Sequence, residues 1–215
     1  MSAVAKQLDI FGRPDHCRIV KDPEKSGLED MEYRLLRRYV QKVSAIIEHI
    51  DQIGLPQPGE QFRLITRRSF NAIEFVQYVA GRERIEQLNM AIYSINFQAA
   101  QMLIDLVRRG KIGHVAIMMS NLRNKAHREK EEIIKQKFTD HPKIDLFFCC
   151  SHAKLMACRT EAGNHYVIEG SGNLAYNSRI EQYVIDNDRE IYEFSVRWME
   201  EIKAFLAGRP ELEIC

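Results

Sequence analysis

Tryptophan occurs once in these 215 residues, and neither sign of charge is in excess. Thirty-one Lys and Arg balance 30 Asp and Glu, a formal net charge of +1. That balance gives no global pull toward nucleic acid or anionic membrane, so any anion-binding surface must be local. No run of 18 apolar residues is present, which excludes an ordinary membrane-spanning helix. No basic-then-apolar leader opens the chain, so a cytoplasmic location is expected. The five cysteines (Cys17, Cys149, Cys150, Cys158 and Cys215) form no CxxC pair and no regular spacing. They read as reduced thiols rather than as a disulfide framework. There is no internal repeat and no low-complexity run.

What is present is an alternation of helical and extended patterns. Residues 1–27 mix charges with Gly12, Pro14, Pro23 and Gly27 and read as an irregular tail. Leu28, Met31, Leu35, Tyr39, Val43, Ile46, Ile50 and Ile53 recur at three- and four-residue steps. That spacing predicts a long amphipathic helix ended by Gly54, Pro56 and Pro58. Phe62 to Thr66 reads as a short strand, and Ser69 as the cap of a helix carrying Ile73, Val76 and Tyr78 or Val79. Strands are expected at 87–94, 115–119 and 144–149, with helices at 98–109 and 124–138 between them. Ala153 to Cys158 and Tyr166 to Glu169 form a hairpin around a Gly163-Asn164 turn. A strand at 180–185 and a closing helix at 190–206 complete an α/β domain with an antiparallel hairpin inserted. The expected division is a tail and long helix over 1–60 and a second domain over 61–215.

The chemistry concentrates at that hairpin. His152 and Lys154, two apart on an extended segment, point the same way. Gly170-Ser171-Gly172-Asn173 follows one hairpin strand later, and Glu181 soon after. Breaking a phosphodiester needs a nucleophile, a proton donor to the leaving oxygen, and donors that hold the phosphoryl oxygens. A histidine can attack phosphorus, and a second histidine can protonate the leaving group. Lysine supplies positive charge without a metal. Ser171 and Asn173 can donate hydrogen bonds, and Gly170 and Gly172 let backbone N–H groups approach the anion. Glu181 is placed to fix the tautomer of the histidine.

The segments Ser151-His-Ala-Lys154, Glu169-Gly-Ser-Gly-Asn-Leu174 and Arg179-Ile-Glu-Gln-Tyr183 resemble the phospholipase D superfamily signature, HxKxxxxD followed by GSxN. Met90 to Phe97, the helix reaching Arg109 and the strand at 115–119 resemble the first half of the same domain. The resemblance implies a phospholipase D-like αβα sandwich with a mixed central sheet, here preceded by an N-terminal helical arm. It implies that His152 is the nucleophile and that Lys154, Ser171 and Asn173 hold the phosphate, with Glu181 orienting His152. No metal and no cofactor are implied. Two copies of the motif meet at one site in that superfamily, and this chain has one, so a homodimer is expected. Two departures stand out. The superfamily aspartate falls at Arg159, and the stretch between Lys154 and Asn173 is longer near Glu161 to Asn164.

Nucleic acid, DNA first, is the expected substrate. Arg123, Lys125, Arg128, Lys130, Lys135 and Lys137 lie on one segment, and Arg67-Arg68 and Arg108-Arg109 add charge that can track a phosphate backbone. The alternatives are a phospholipid-cleaving hydrolase of the same superfamily and an inactive nucleic-acid-binding module. Gln7-Leu8-Asp9-Ile10-Phe11 resembles the short peptide by which bacterial replication and repair proteins bind the sliding clamp. Leu8, Ile10 and Phe11 would fill an apolar pocket while Gln7 bonds at its edge.

Overall fold

A computed structural model describes residues 41–47, 49–66, 71–120, 125–174 and 180–207. The clamp-like residues Gln7, Leu8, Ile10 and Phe11 lie outside these, as do Cys17, Cys215, Ser69, Arg67-Arg68 and Arg123.

Among the described residues eight strands form one sheet. They are β1 (Gln41–Ile47), β2 (Glu60–Thr66), β3 (Ile85–Ile92), β4 (Ile112–Ser120), β5 (Ile144–Cys149), β6 (Leu155–Thr160), β7 (His165–Gly170) and β8 (Glu181–Asn187). Their spatial order is β1-β2-β8-β7-β6-β3-β4-β5. The pairs β1/β2, β3/β4 and β4/β5 are parallel, and the four pairs from β2/β8 through β3/β6 are antiparallel. The sheet is therefore mixed, with an antiparallel centre between two parallel flanks. The helices are α1 (Ile73–Arg82), α2 (Phe97–Arg108), α3 (Lys125–Thr139) and α4 (Arg189–Ala207). This is the expected α/β sandwich with a mixed central sheet.

The helices are shared unequally between the two faces. α1, α2 and α3 cover one face and bury Phe75, Val76, Leu103 and Phe138 against Leu64, Leu88, Met90, Ile117 and Ile185. Among the described residues α4 is the helix on the other face, where Tyr192, Met199 and Leu206 meet Ala91, Met118, Leu155, Ala157 and Val167. The alternation along β3 shows the division directly. Leu88 and Met90 belong to the larger cluster and Ala91 to the smaller, as the two-residue period of a strand requires.

The amphipathic helix expected up to Ile53 is corrected over its second half. Residues 41–47 form β1, paired in parallel with β2 from Gln41 opposite Glu60 to Ile47 opposite Thr66. Only Ile50–Gln52 is helical among the rest, as one turn of 3-10 helix, and Gly54 ends it at φ 82°. The physical reason lies in Val43 and Ile46-Ile47. β-branched residues suit a pleated strand, and pairing with β2 supplies hydrogen bonds that helical spacing alone cannot outweigh. β1 thus belongs to the same sheet as the strands beyond residue 60.

Among the described residues Cys149, Cys150 and Cys158 are free thiols, and no helix is long and apolar enough to cross a membrane. Burial, reinforced by the charge of Glu83, pushes the Cys158 thiol up to about 12, so it stays protonated and inert.

Candidate active site

The site lies at one end of the β6–β7 hairpin, where the parallel strands β3 and β4 also end. Ser151 opens it. Its Oγ accepts from the Ala153 N–H at 3.1 Å, a local turn that sets the chain's entry into β6. His152 is exposed and Lys154 half-buried. Lys154 Nζ donates to the His152 carbonyl at 3.2 Å and lies 3.1 Å from its Nδ1. With the ammonium donating to Nδ1, the neutral ring carries its proton on Nε2. Burial lowers the pKa of Lys154, and the negative charge of Glu181 partly opposes this.

The glycine turn is built around Tyr183. A Cβ at Gly172 would stand 1.9 Å from the Tyr183 hydroxyl oxygen, and one at Gly170 2.3 Å from its ring and 2.5 Å from the Gln182 carbonyl oxygen. Both positions therefore need glycine because a buried phenol occupies the space, in addition to any approach by an anion. Tyr183 itself packs edge-on against Phe75 at 4.9 Å. Burial, then the charges of Glu181 and Glu74, raise its pKa.

Two anchors hold the turn. On one side the Ser171 N–H donates to Gln182 O at 3.1 Å, and the Gln182 N–H donates to Ser171 Oγ at 3.1 Å. On the other, the Leu174 N–H donates to Ser94 O at 3.2 Å and the Asn96 N–H to Leu174 O at 2.9 Å. Asn173 hangs between them, and its buried Oδ1 has no hydrogen-bond partner among the described residues. An orphaned acceptor in a recess shared with Tyr93, Lys154 and Gly172 fits a side chain held ready for a ligand.

Glu181 is buried, and Ser171 Oγ donates a hydrogen bond to its Oε2. Thr66 clamps its backbone, with Oγ1 at 3.3 Å from both the N–H and the carbonyl of Glu181. The bond from Ser171 to this carboxylate fixes the turn, while its charge acts on Lys154.

The residue that sequence reasoning passed over is Tyr93. Its ring lies 4.5 Å from the His152 imidazole and 5.4 Å from Lys154 Nζ, centroid distances that place both catalytic candidates against one aromatic wall. The available signal was its position just past the end of β3, where parallel strands deliver residues to a site.

Both departures from the signature fall away from this end. Arg159 sits five residues down β6 from Lys154, roughly 17 Å at strand rise, and its Nε donates to Glu86 at 3.0 Å. The extra residues near Glu161 form the opposite hairpin tip, where Gly163 takes φ 83°. Of the basic segment, Lys135 pairs with Glu132 at 2.9 Å. Lys137 bonds Gln101 at 3.1 Å and lies 4.7 Å from the centroid of the exposed Phe97 ring.

No family model matches the chain, and no curated protein matches it. Solved structures do. Polyphosphate kinase from Porphyromonas gingivalis aligns over 67% of this chain and 26% of its own, with 11% identity and a TM-score of 0.53. The phospholipase D family member Nuc from Salmonella typhimurium aligns over 59% of this chain and 83% of its own, with 19% identity and a TM-score of 0.44. Phosphatidylserine synthase from Haemophilus influenzae Rd KW20 aligns over 67% and 38%, with 12% identity and a TM-score of 0.46. This chain spans about a quarter of the kinase that it matches. At these identities the likeness is one of fold.

Proposed function

We propose that this chain is a metal-independent phosphodiesterase, a nuclease acting first on DNA, whose site is completed by a second copy of itself. The observation that carries the reading is convergence. Lys154, Tyr93 and Asn173 line one recess, His152 stands against Tyr93 and Lys154, and Ser171 bonded to the buried Glu181 fixes the turn. One nucleophile, one ammonium and the donor nitrogen of the Asn173 amide are half of what phosphoryl transfer needs.

Nε2 of His152 attacks phosphorus. A P–N bond forms, the P–O bond to the leaving group breaks, and the leaving oxygen takes a proton from His152 of the second copy. Water then attacks the phosphohistidine and gives its proton to that second histidine. The P–N bond breaks and a phosphomonoester leaves. Lys154 and Asn173 carry the equatorial oxygens through both steps, because the one hydroxyl proton of Ser171 is held by Glu181. As the anion draws the Lys154 ammonium away from Nδ1, that nitrogen is released to hold a proton while Nε2 reacts.

The test is cleavage of plasmid DNA and of bis(p-nitrophenyl) phosphate in EDTA. His152→Ala is expected to lower kcat by about 10³-fold or more with an unchanged melting curve. Wild-type activity in that variant refutes the assignment. Mixing the variant with the wild type under exchange conditions should make activity fall as the square of the wild-type fraction. A linear fall removes the shared site. Parallel assays on RNA and phospholipid separate the substrate classes.

A further inference from the structure

α4 leaves part of its own sheet face bare. It lies over β6 and β7, and among the described residues no helix covers the same face of β2 and β8. The result is a groove of about 830 Å³. Strand register lays out its floor: Leu155 opposite Glu169, Glu169 opposite Val184, and Val184 opposite Arg63. Ile65 and Gln182 form the next row along. Trp198 of α4 forms a wall, half-buried against the smaller core cluster.

Three features make this more than an uncovered sheet. The groove reaches the candidate catalytic residues at its end, where Lys154 and Gly170 line it. Its far side carries Arg63, which is exposed and makes no ion pair or hydrogen bond among the described residues. Arg63 and Lys154 outnumber the one carboxylate, Glu169. Between the two cations the floor carries Leu155, Glu169 and Val184, apolar side chains around one carboxylate, with Trp198 as an aromatic edge. Three strand spacings, roughly 14 Å, separate β2 from β6.

We infer that the groove is a subsite for single-stranded nucleic acid, holding the nucleotides that flank the scissile phosphate. Lys154 takes the scissile phosphate and Arg63 one further along. The bases lie on Ile65 and Val184 with a ring against Trp198, and Gln182 reaches their polar edges. Cationic grooves with stacking surfaces hold single strands in this way. A duplex keeps its base faces in its own stack and has none to place on this floor. The inference rests on the phosphodiesterase reading for which phosphate sits at Lys154.

Trp198 is the only tryptophan in the chain, so its emission reports this groove alone. The full-length chain carrying His152→Asn, which spares the strand, is titrated with short oligothymidylate and separately with duplex DNA. Saturable quenching by the single strand and little by the duplex is expected. Arg63→Glu should raise Kd about tenfold and flatten the salt dependence of log K by about one. In the otherwise unsubstituted chain, Arg63→Glu should leave hydrolysis of bis(p-nitrophenyl) phosphate unchanged, because that diester has no flanking nucleotides. Anisotropy showing bound oligonucleotide while Trp198 emission stays constant overturns the inference. Equal quenching by the duplex does so too. Emission that moves with protein concentration and ignores oligonucleotide assigns the groove to a second copy and also overturns it. Saturable quenching without diester hydrolysis by the unsubstituted chain supports the groove and overturns the phosphodiesterase reading alone.

Discussion

The two ends of the β6–β7 hairpin are built from similar side chains and do opposite things. At the closed end, Glu83 accepts from Thr160 Oγ1 at 2.5 Å, from Asn164 Nδ2 at 3.0 Å and from Tyr166 Oη at 3.2 Å. Asn187 then bridges Asn164 at 2.9 Å to the Pro56 carbonyl at 3.0 Å. The polar groups there satisfy one another. At the open end the Asn173 acceptor is left over, His152 faces solvent, and Lys154 is charged at a cost in solvation. Saturated networks hold a fold together, whereas unsaturated ones are kept for something that arrives.

The largest expected effect breaks the closed end. Glu83→Ala strips three side-chain donors of their acceptor, and a loss of about 3 kcal/mol is expected. Thermal denaturation should show a fall of about 6–12 °C, while kcat of the folded fraction at low temperature stays at wild type. A kcat that falls with the fold intact would show that the two ends are coupled.

A smaller effect is expected at the open end from its aromatic wall. Tyr93→Ala should reduce kcat about tenfold through loss of His152 orientation, with KM little changed. Tyr93→Phe keeps the ring and should restore most of it. Equal damage from both substitutions would assign the role to the hydroxyl and sink the packing account.

The smallest effect is a displacement along the pH axis. Burial lowers the pKa of Lys154, so its ammonium discharges at a lower pH than that of a free lysine. Phosphate binding that depends on that charge is complete below the shifted pKa and is lost as pH rises through it. KM should therefore climb on the alkaline side before the ordinary lysine range. Lys154→Arg keeps its charge throughout and should move that limb upward, with only a few-fold change near neutrality. An alkaline limb that stays in place would mean that another group sets it.

Much of the scaffold was legible in the chain. β4 and β5 announced themselves as apolar runs, and α2 by the spacing of Leu103 and Val107. The hairpin was marked by Gly163-Asn164, whose glycine does adopt the left-handed conformation. β1 was not legible, because Val43, Ile46 and Ile50 follow a helical period although Val43 and Ile46 lie in a strand. Periodicity describes one segment in isolation, and the partner that decided the matter is β2. Among the site residues, the chemical types and spacing of His152, Lys154, Ser171 and Asn173 were readable. The carboxylate was readable as a participant, but its bond to Ser171 was not.

By itself the sequence determined which groups are available for phosphoryl chemistry, and that one set of them is present. It did so because residue type sets nucleophilicity, charge and donor count wherever the chain goes. Only the tertiary structure decided that Tyr93 walls the histidine and that Tyr183 forces glycine at 170 and 172. It alone placed Arg159 and the longer hairpin tip away from the chemistry and left a groove beside α4. Those facts depend on which strands become neighbours. Burial of apolar surface summed over the whole sheet makes that choice, and no local pattern carries the sum.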